Sequence, residues 1–253
     1  MHIQGMMEES YVIKCINKIK EDKMMGKKLK LIIFLVLILT ISLGVFNVIK
    51  HNDVFYTFRP SIKVETLVCT NDLDSDGIND QKDILEGARE EIKNHTRYKS
   101  EYYSGGYPPE GEGVCTDVIW RAFQNAGYSL KNNMDKDIIL NVNDYPRIDK
   151  IDSNIDFRRV RNQLVFLKKY MTNLTTDIVP YDIDILKEWQ GGDIVVLAHP
   201  YHIAIISDKR RKDGIPYIIH NSYDFPREED KLIIWSRKDM IIGHFRFKNV
   251  EIK

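Results

Sequence analysis

Three side chains in this chain have the types and spacing for covalent acyl chemistry: Cys115, His202 and His220. Cys115 follows a Gly/Pro-rich run, YYSGGYPPEGEG, and opens CTDVIWRAFQNA, whose apolar spacing predicts a helix to about Ala126 stopped by Gly127. At a helix N-terminus the unpaired N–H groups and the macrodipole favour a thiolate over a thiol, so this sulfur is expected to ionise more readily than one in a core. Gly113 is expected to let the chain turn tightly before it. Downstream, His202 in YHIAIIS and His220 in YIIHNS sit on short β-branched runs and can supply a base and a group that orients it. Asn221 adjoins His220, and strand alternation aims only one of the two at the site; His220 is preferred, with Asn221 the other choice. Tyr107, eight residues before the cysteine, is an accessory phenolic donor. Asp117 is placed to cap the helix and, as a nearby negative charge, to raise the thiol pKa. Arg158 and Arg159 are expected to pair with local acids rather than with a substrate carboxylate. His199 and His244 are expected to be structural, and Asp193 a turn residue. A Cys69–Cys115 disulfide is the competing use of the thiol.

A second cluster is acidic. In DLDSDGINDQKD, residues 72–83, Asp72, Asp74 and Asp76 hold positions 1, 3 and 5 of a twelve-residue loop, Gly77 holds 6, Asp80 holds 9 and Asp83 holds 12. A hard cation needs six or seven oxygens around a point, and alternate residues of a tight loop turn their carboxylates inward, with the Ile78 carbonyl available at position 7. One structural calcium is therefore expected. Position 12 departs from the glutamate of an EF-hand and is an aspartate, as in dockerin-type loops. The following segment, ILEGAREEIKNH, places Ile84, Leu85, Ala88 and Ile92 on one helical face.

These residues need a scaffold in a defined compartment. The 253-residue chain has 37 basic and 37 acidic residues, a balance that gives no support to a nucleic-acid partner. From Leu31 to Val48 the sequence is apolar apart from Thr40, Ser42 and Asn47, and Lys23, Lys27, Lys28 and Lys30 precede it. With its flanks this run reaches about 20 residues, enough for a membrane-spanning helix. The lysines place the N-terminus inside and everything after about residue 50 outside. A cleaved secretory signal is the alternative; the anchor is preferred because no alanine precedes Ala88 and no cysteine closes the apolar run. The expected organisation is a cytoplasmic tail over 1–28 with an amphipathic stretch at Val12, Ile13, Ile16 and Ile19, an anchor over 29–49, a linker over 50–70 and an extracytoplasmic domain over 71–253. Cys15 then lies inside, Cys69 and Cys115 outside.

Within that domain, a short helix is expected over 135–143 and a longer one over 154–170. After Trp189 the runs GGDIVVLA, YHIAIIS, YIIHNS, KLIIWS and IIGHFRFK predict a meander of about five antiparallel strands. Helices first and strands afterwards indicate an α+β fold.

The motifs GVCTDVIWRAF, NIDFRRVRN, GGDIVVL, HIAIIS, IIHN and IIGHFRF, in that order over roughly residues 85–250, resemble the DUF1287 family of uncharacterised secreted or anchored bacterial proteins. Phe157 departs from it, standing where the family usually has a histidine. A more distant similarity, to NlpC/P60 papain-like cysteine hydrolases, rests on a cysteine opening a helix, a GD turn into a strand, and a histidine beginning the next strand. That resemblance implies a papain-like fold with Cys115 as nucleophile, His202 as base and His220 as its orienting group, acting on amide bonds of cell-wall peptides. The expected function is thus an extracytoplasmic thiol hydrolase of cell-wall peptide or another amide. A non-catalytic wall-binding module and a thioester acyltransferase are the alternatives.

Overall fold

Between Ile194 and Arg246, β-branched runs pair into the sheet that carries the histidines. The computed structural model describes residues 26–46, 59–67, 69–248 and 252, so residues 1–25 of the expected tail (1–28), with Cys15, and residues 50–58 and 68 of the expected linker lie outside the described residues. The chain divides into two units, Met1–Arg59 and Pro60–Lys253. In the first, helix α1 (Gly26–Phe46) has a mean hydropathy of 2.7 over its best window and buries none of it, so it is long and apolar enough to cross a membrane or to serve as a signal sequence.

The second unit is α+β. Helix α2 (Asp80–Lys93) is capped by the Asn79 side chain and buries Ile84, Leu85 and Ala88 as the spacing predicts. A two-residue parallel bridge joins β1 (Arg97–Tyr98) to β2 (Glu112–Gly113). Helix α3 runs from Cys115 to Asn125, and Gly127, at φ +70°, ends it in the left-handed conformation. Helix α4 spans Leu130–Leu140, earlier than the expected 135–143, because Ser129 caps it. The helix expected over 154–170 is broken: a 3-10 turn, Asp156–Arg158, is followed by α5 (Val160–Tyr170), with Arg159 extended at φ −97°, ψ 123° between them. A four-residue helix α6 (Ile183–Leu186) leads to the sheet.

The sheet has six antiparallel strands rather than five, in the order β3-β8-β4-β5-β6-β7. They are β3 (Thr172–Asn173), β4 (Ile194–Leu197), β5 (His202–Arg210), β6 (Pro216–His220), β7 (Arg227–Glu229) and β8 (Ile241–Arg246). It is not a simple meander, since β8 inserts between β3 and β4. KLIIWS, expected as a strand, contributes helix α7 (Leu232–Ser236). The edge of the sheet beside β6 is taken instead by Arg227–Glu229.

Both faces of the sheet are covered, which is why its strands read as unbroken apolar runs. Ile194, Val196, Ile203, Ile205 and Ile219 join Ile119, Phe123 and Phe166 of the helical layer. The alternate residues Val195, Leu197, Ala204, Ile206 and Ile218 pack with Trp189 and Leu232 on the other side. Part of the expected linker belongs to this second core: Val64 is buried, and the Ile62 amide donates to the Lys212 carbonyl at 2.9 Å.

Candidate active site

The segment before Cys115 is held by a buried ion pair. Val114, in extended conformation, is the N-cap of α3, and its amide donates to Asp117 Oδ2 at 2.7 Å. Asp117 also receives Trp120 Nε1 at 2.8 Å and both arms of the Arg158 guanidinium at 2.7 and 2.8 Å. Asp117 therefore caps the helix as expected, and Arg158 pairs with it. Arg159 lies 3.2 Å from Asp156. Gly113 serves a close approach: a Cβ there would stand 2.9 Å from that of Asp117. Its carbonyl accepts from Lys99 N at 3.0 Å and from Asn221 Nδ2 at 3.2 Å.

That last contact separates His220 from Asn221. Asn221 is wholly buried and points back at the Thr96 and Gly113 carbonyls, so it positions the strand leading to the cysteine. His220, on the opposite side of the strand, meets His202: Nε2 of His202 and Nδ1 of His220 are 2.7 Å apart. Trp235 sets its ring edge-on to both imidazoles, at 5.9 and 5.4 Å between centroids. Cys115, His202 and His220 line one cavity of about 480 Å³, together with Tyr98, Tyr201, Lys231 and Trp235.

Cys115 and Cys69 are both free thiols. Burial pushes the Cys115 thiol up to about 11, against the backbone N–H groups of Ile203, Thr116 and Cys115, which favour the thiolate; the Asp117 charge raises it further. The expectation of a readily ionised sulfur is thus corrected: loss of solvent outweighs the helix terminus. Burial likewise pushes His202 down to about 3, assisted by the charges of His220 and Lys231, and His220 down to about 4, assisted by Lys231 and Arg227. At neutral pH the group is a neutral thiol beside two neutral imidazoles.

Tyr107 is not a wall of this cavity. It packs on Trp120 and Phe157, with centroids 4.7 and 5.5 Å away, and lines a separate hollow with Ser129 and Lys131. Phe157, the departure from the family pattern, is fully buried in the core. Three tyrosines do line the cavity, Tyr98, Tyr201 and Tyr223, and of these Tyr98 is the one that the β1–β2 bridge sets opposite Gly113 in register. No spacing rule connects residue 98 to residue 115; a tyrosine in the short run RYK was the only local signal.

His199 and His244 are not among the residues that line the cavity. His244 stacks on Trp189 at 3.7 Å between ring centroids, and its ring nitrogens lie 2.7 Å from the Thr175 carbonyl and 3.2 Å from Asp193. Asp193 is more than a turn residue: it is buried and also holds Arg246 through two contacts, Gln81 Nε2 at 2.8 Å and the Gln190 amide at 2.8 Å. His199 lies in the turn before β5 at φ +57°.

The acidic loop is wound around its own carboxylates. Asp72 Oδ2 accepts from Gly77 N at 2.9 Å and Oδ1 from Asp76 N at 3.2 Å, while Asp76 Oδ1 accepts from Ile78 N at 2.7 Å. Gly77 has φ +91°, a conformation costly for other residues. Oxygens of Asp72, Asp74 and Asp76 lie within 4.8 Å of one another. Asp80 and Asp83 are each 2% exposed, and the Oδ2 of each has no hydrogen-bond partner. Burial pushes the Asp83 carboxyl up to about 6, with added repulsion from Asp76, Asp74, Asp72 and Asp80. These residues fit a hard cation: the donor set is all oxygen, and although Asp80 Oδ1 accepts from the Leu73 amide at 2.8 Å, one oxygen of each buried member is left over.

The family described as "Domain of unknown function (DUF1287)" matches residues 85–247. The uncharacterized protein YijF of Escherichia coli (strain K12) is 34% identical over 177 residues, covering 65% of this chain and 80% of the relative. The acidic loop lies before the family match, and the cysteine cavity lies within it.

Proposed function

The chain belongs to the DUF1287 family, and we propose that it is an extracytoplasmic thiol hydrolase of amide or peptide bonds, with cell-wall peptide as the substrate it is placed to meet. The observation that carries this reading is the convergence of a helix-borne Cys115 and the hydrogen-bonded His202–His220 pair on one cavity. A helix packed on an antiparallel sheet, with the nucleophile at the helix start and the base at the start of a strand, supports a papain-like layout. The lysines before the apolar run, Lys23, Lys27, Lys28 and Lys30, support an inside N-terminus and an anchored domain outside.

The chemistry follows from the protonation states. The resting sulfur is a thiol, so the thiolate forms as the reaction begins: His202 accepts the proton through Nδ1, the nitrogen not engaged with His220, while Sγ attacks the carbonyl carbon. The tetrahedral oxyanion is met by the backbone N–H of Cys115 and by the Tyr98 hydroxyl, which replaces Tyr107 in this role. His202 returns its proton to the leaving amine as the C–N bond breaks. Water, deprotonated by the same imidazole, then resolves the thioester. An amine taking the place of water would give acyl transfer from the same intermediate.

We further propose that Asp72, Asp74, Asp76, Asp80, Asp83 and the Ile78 carbonyl hold one structural calcium. The loop braces the helical layer: Asn125 of α3 donates to the Asp83 carbonyl at 2.9 Å, and Gln81 donates to the Gly191 carbonyl at 2.9 Å.

The neutral, buried resting thiol favours one competitor, a wall-binding module that makes no use of Cys115. The deciding experiment treats purified wall peptide with the full chain in detergent and follows released amines, beside the Cys115→Ala variant. Release that the variant abolishes supports the hydrolase; binding without release, or release unaffected by the substitution, refutes it.

A further inference from the structure

Behind the histidine pair lies a group that the proposed chemistry has not used. A neutral imidazole carries one proton. For Nδ1 of His202 to accept the thiol proton, the His202 proton must sit on Nε2 and be donated to Nδ1 of His220. The His220 proton then sits on Nε2. That atom is buried and has no hydrogen-bond partner among the described residues, and it faces Glu229 Oε1, buried and equally without partner, at 3.7 Å. The distance exceeds an ordinary N–H···O bond by less than an ångström.

Strand pairing brings the two together. His220 stands opposite Arg227 in the β6–β7 register, and Glu229, two residues on, shares that face as the diagonal neighbour. Lys231 Nζ lies 2.7 Å from the other carboxylate oxygen and so holds Glu229 in place from the cavity wall. The charged groups facing His220 are thus Arg227, Lys231 and Glu229, and Glu229 is the single anion among them.

We propose that Glu229 is a positioning residue for the reactive pair: it accepts the Nε2 proton of His220, which fixes the tautomer of His220 and, through it, that of His202. This inference rests on the thiol-hydrolase reading and adds a fourth member to its Cys115–His202–His220 series. On attack, the Sγ–H bond breaks, the Sγ–C bond forms and the proton moves to His202 Nδ1. The positive charge that develops on His202 is met by His220 through Nδ1, with Glu229 holding that ring in register. No net proton leaves the series.

The test is the 15N spectrum of imidazole-labelled full chain in detergent, recorded at pH 7 for wild type, Glu229→Ala and Glu229→Gln, alongside iodoacetamide alkylation of Cys115. The spectrum needs no turnover, so it stands apart from failure of the hydrolase reading. Wild type is expected to show His202 and His220 both protonated on Nε2. Glu229→Ala is expected to give mixed tautomers and alkylation about 10-fold slower, with Glu229→Gln, which keeps an acceptor oxygen, restoring most of both. A wild-type His220 protonated on Nδ1, or an unchanged spectrum in a folded Glu229→Ala variant, overturns the proposal.

Discussion

The acidic loop and the thiol cavity both bury ionisable groups away from their charged forms, yet they are assembled in opposite ways. The loop takes its five carboxylates from twelve consecutive residues and leaves Asp80 and Asp83 oxygens unpartnered, a strain that a cation would relieve from outside. The cavity takes Tyr98, Cys115, His202 and His220 from four separate elements, and behind it His220 Nε2 and Glu229 Oε1, unpartnered among the described residues, face each other. Repulsion within one charge type asks for a ligand; complementary donors and acceptors ask only for a short closure. The first arrangement is suited to holding a part of the fold, the second to moving a proton.

The sharpest way to separate the two regions is chemical. Cys115→Ala should lower amide hydrolysis by at least about 10³-fold while leaving the calcium response of the melting temperature unchanged; a variant that loses both would join what the comparison separates. Next in size is the buried pair behind the cysteine. Arg158→Met leaves Asp117 charged and unpaired at zero exposure, and equilibrium unfolding should register a loss of about 3–5 kcal/mol; a loss under 1 kcal/mol would show that Asp117 finds other compensation.

Chelation addresses the loop alone. With calcium at about a hundred times its dissociation constant, its removal should cost about 2.7 kcal/mol of stability, seen as a lower melting temperature. Asp74→Ala with Asp76→Ala should abolish that response; a melting curve indifferent to chelator and to both substitutions would remove the cation. Acid acts on the cavity. His202 and His220 have folded pKa values of about 3 and about 4 against 6.5 for a free histidine, so the unfolded chain binds more protons in that interval. Their stabilisation is complete above pH 6.5 and is lost as pH falls toward 4, and His220→Gln should flatten the decline; an equal decline in that variant would assign it elsewhere. The smallest effect distinguishes two tyrosines: Tyr98→Phe should slow hydrolysis about 10-fold and Tyr107→Phe not at all, and the reverse order would return the donor role to residue 107.

Much of this was legible in local sequence. The apolar run of α1, the alternation of the loop aspartates, the helix opened by Cys115 and ended by Gly127, and the strand positions of His202 and His220 all depend on neighbours a few residues away, through period, turn chemistry and capping. KLIIWS was misread for the same reason: its apolar content suits a strand or a helix turn, and only the occupied edge beside β6 decides between them. The break at Arg159 carries no local signal, since the sequence there has no proline or glycine.

What the sequence alone determined is therefore the candidates for the two sites: which thiol, which histidines, which carboxylates. Tertiary structure decided their state and their partners. It turned Asn221 onto the Gly113 carbonyl and His220 onto His202, set Tyr98 and not Tyr107 on the cavity wall, and brought Glu229 behind the pair across β6 and β7. It also buried Cys115, and that loss of solvent, a property of the folded packing rather than of the neighbouring sequence, pushes the thiol pKa up.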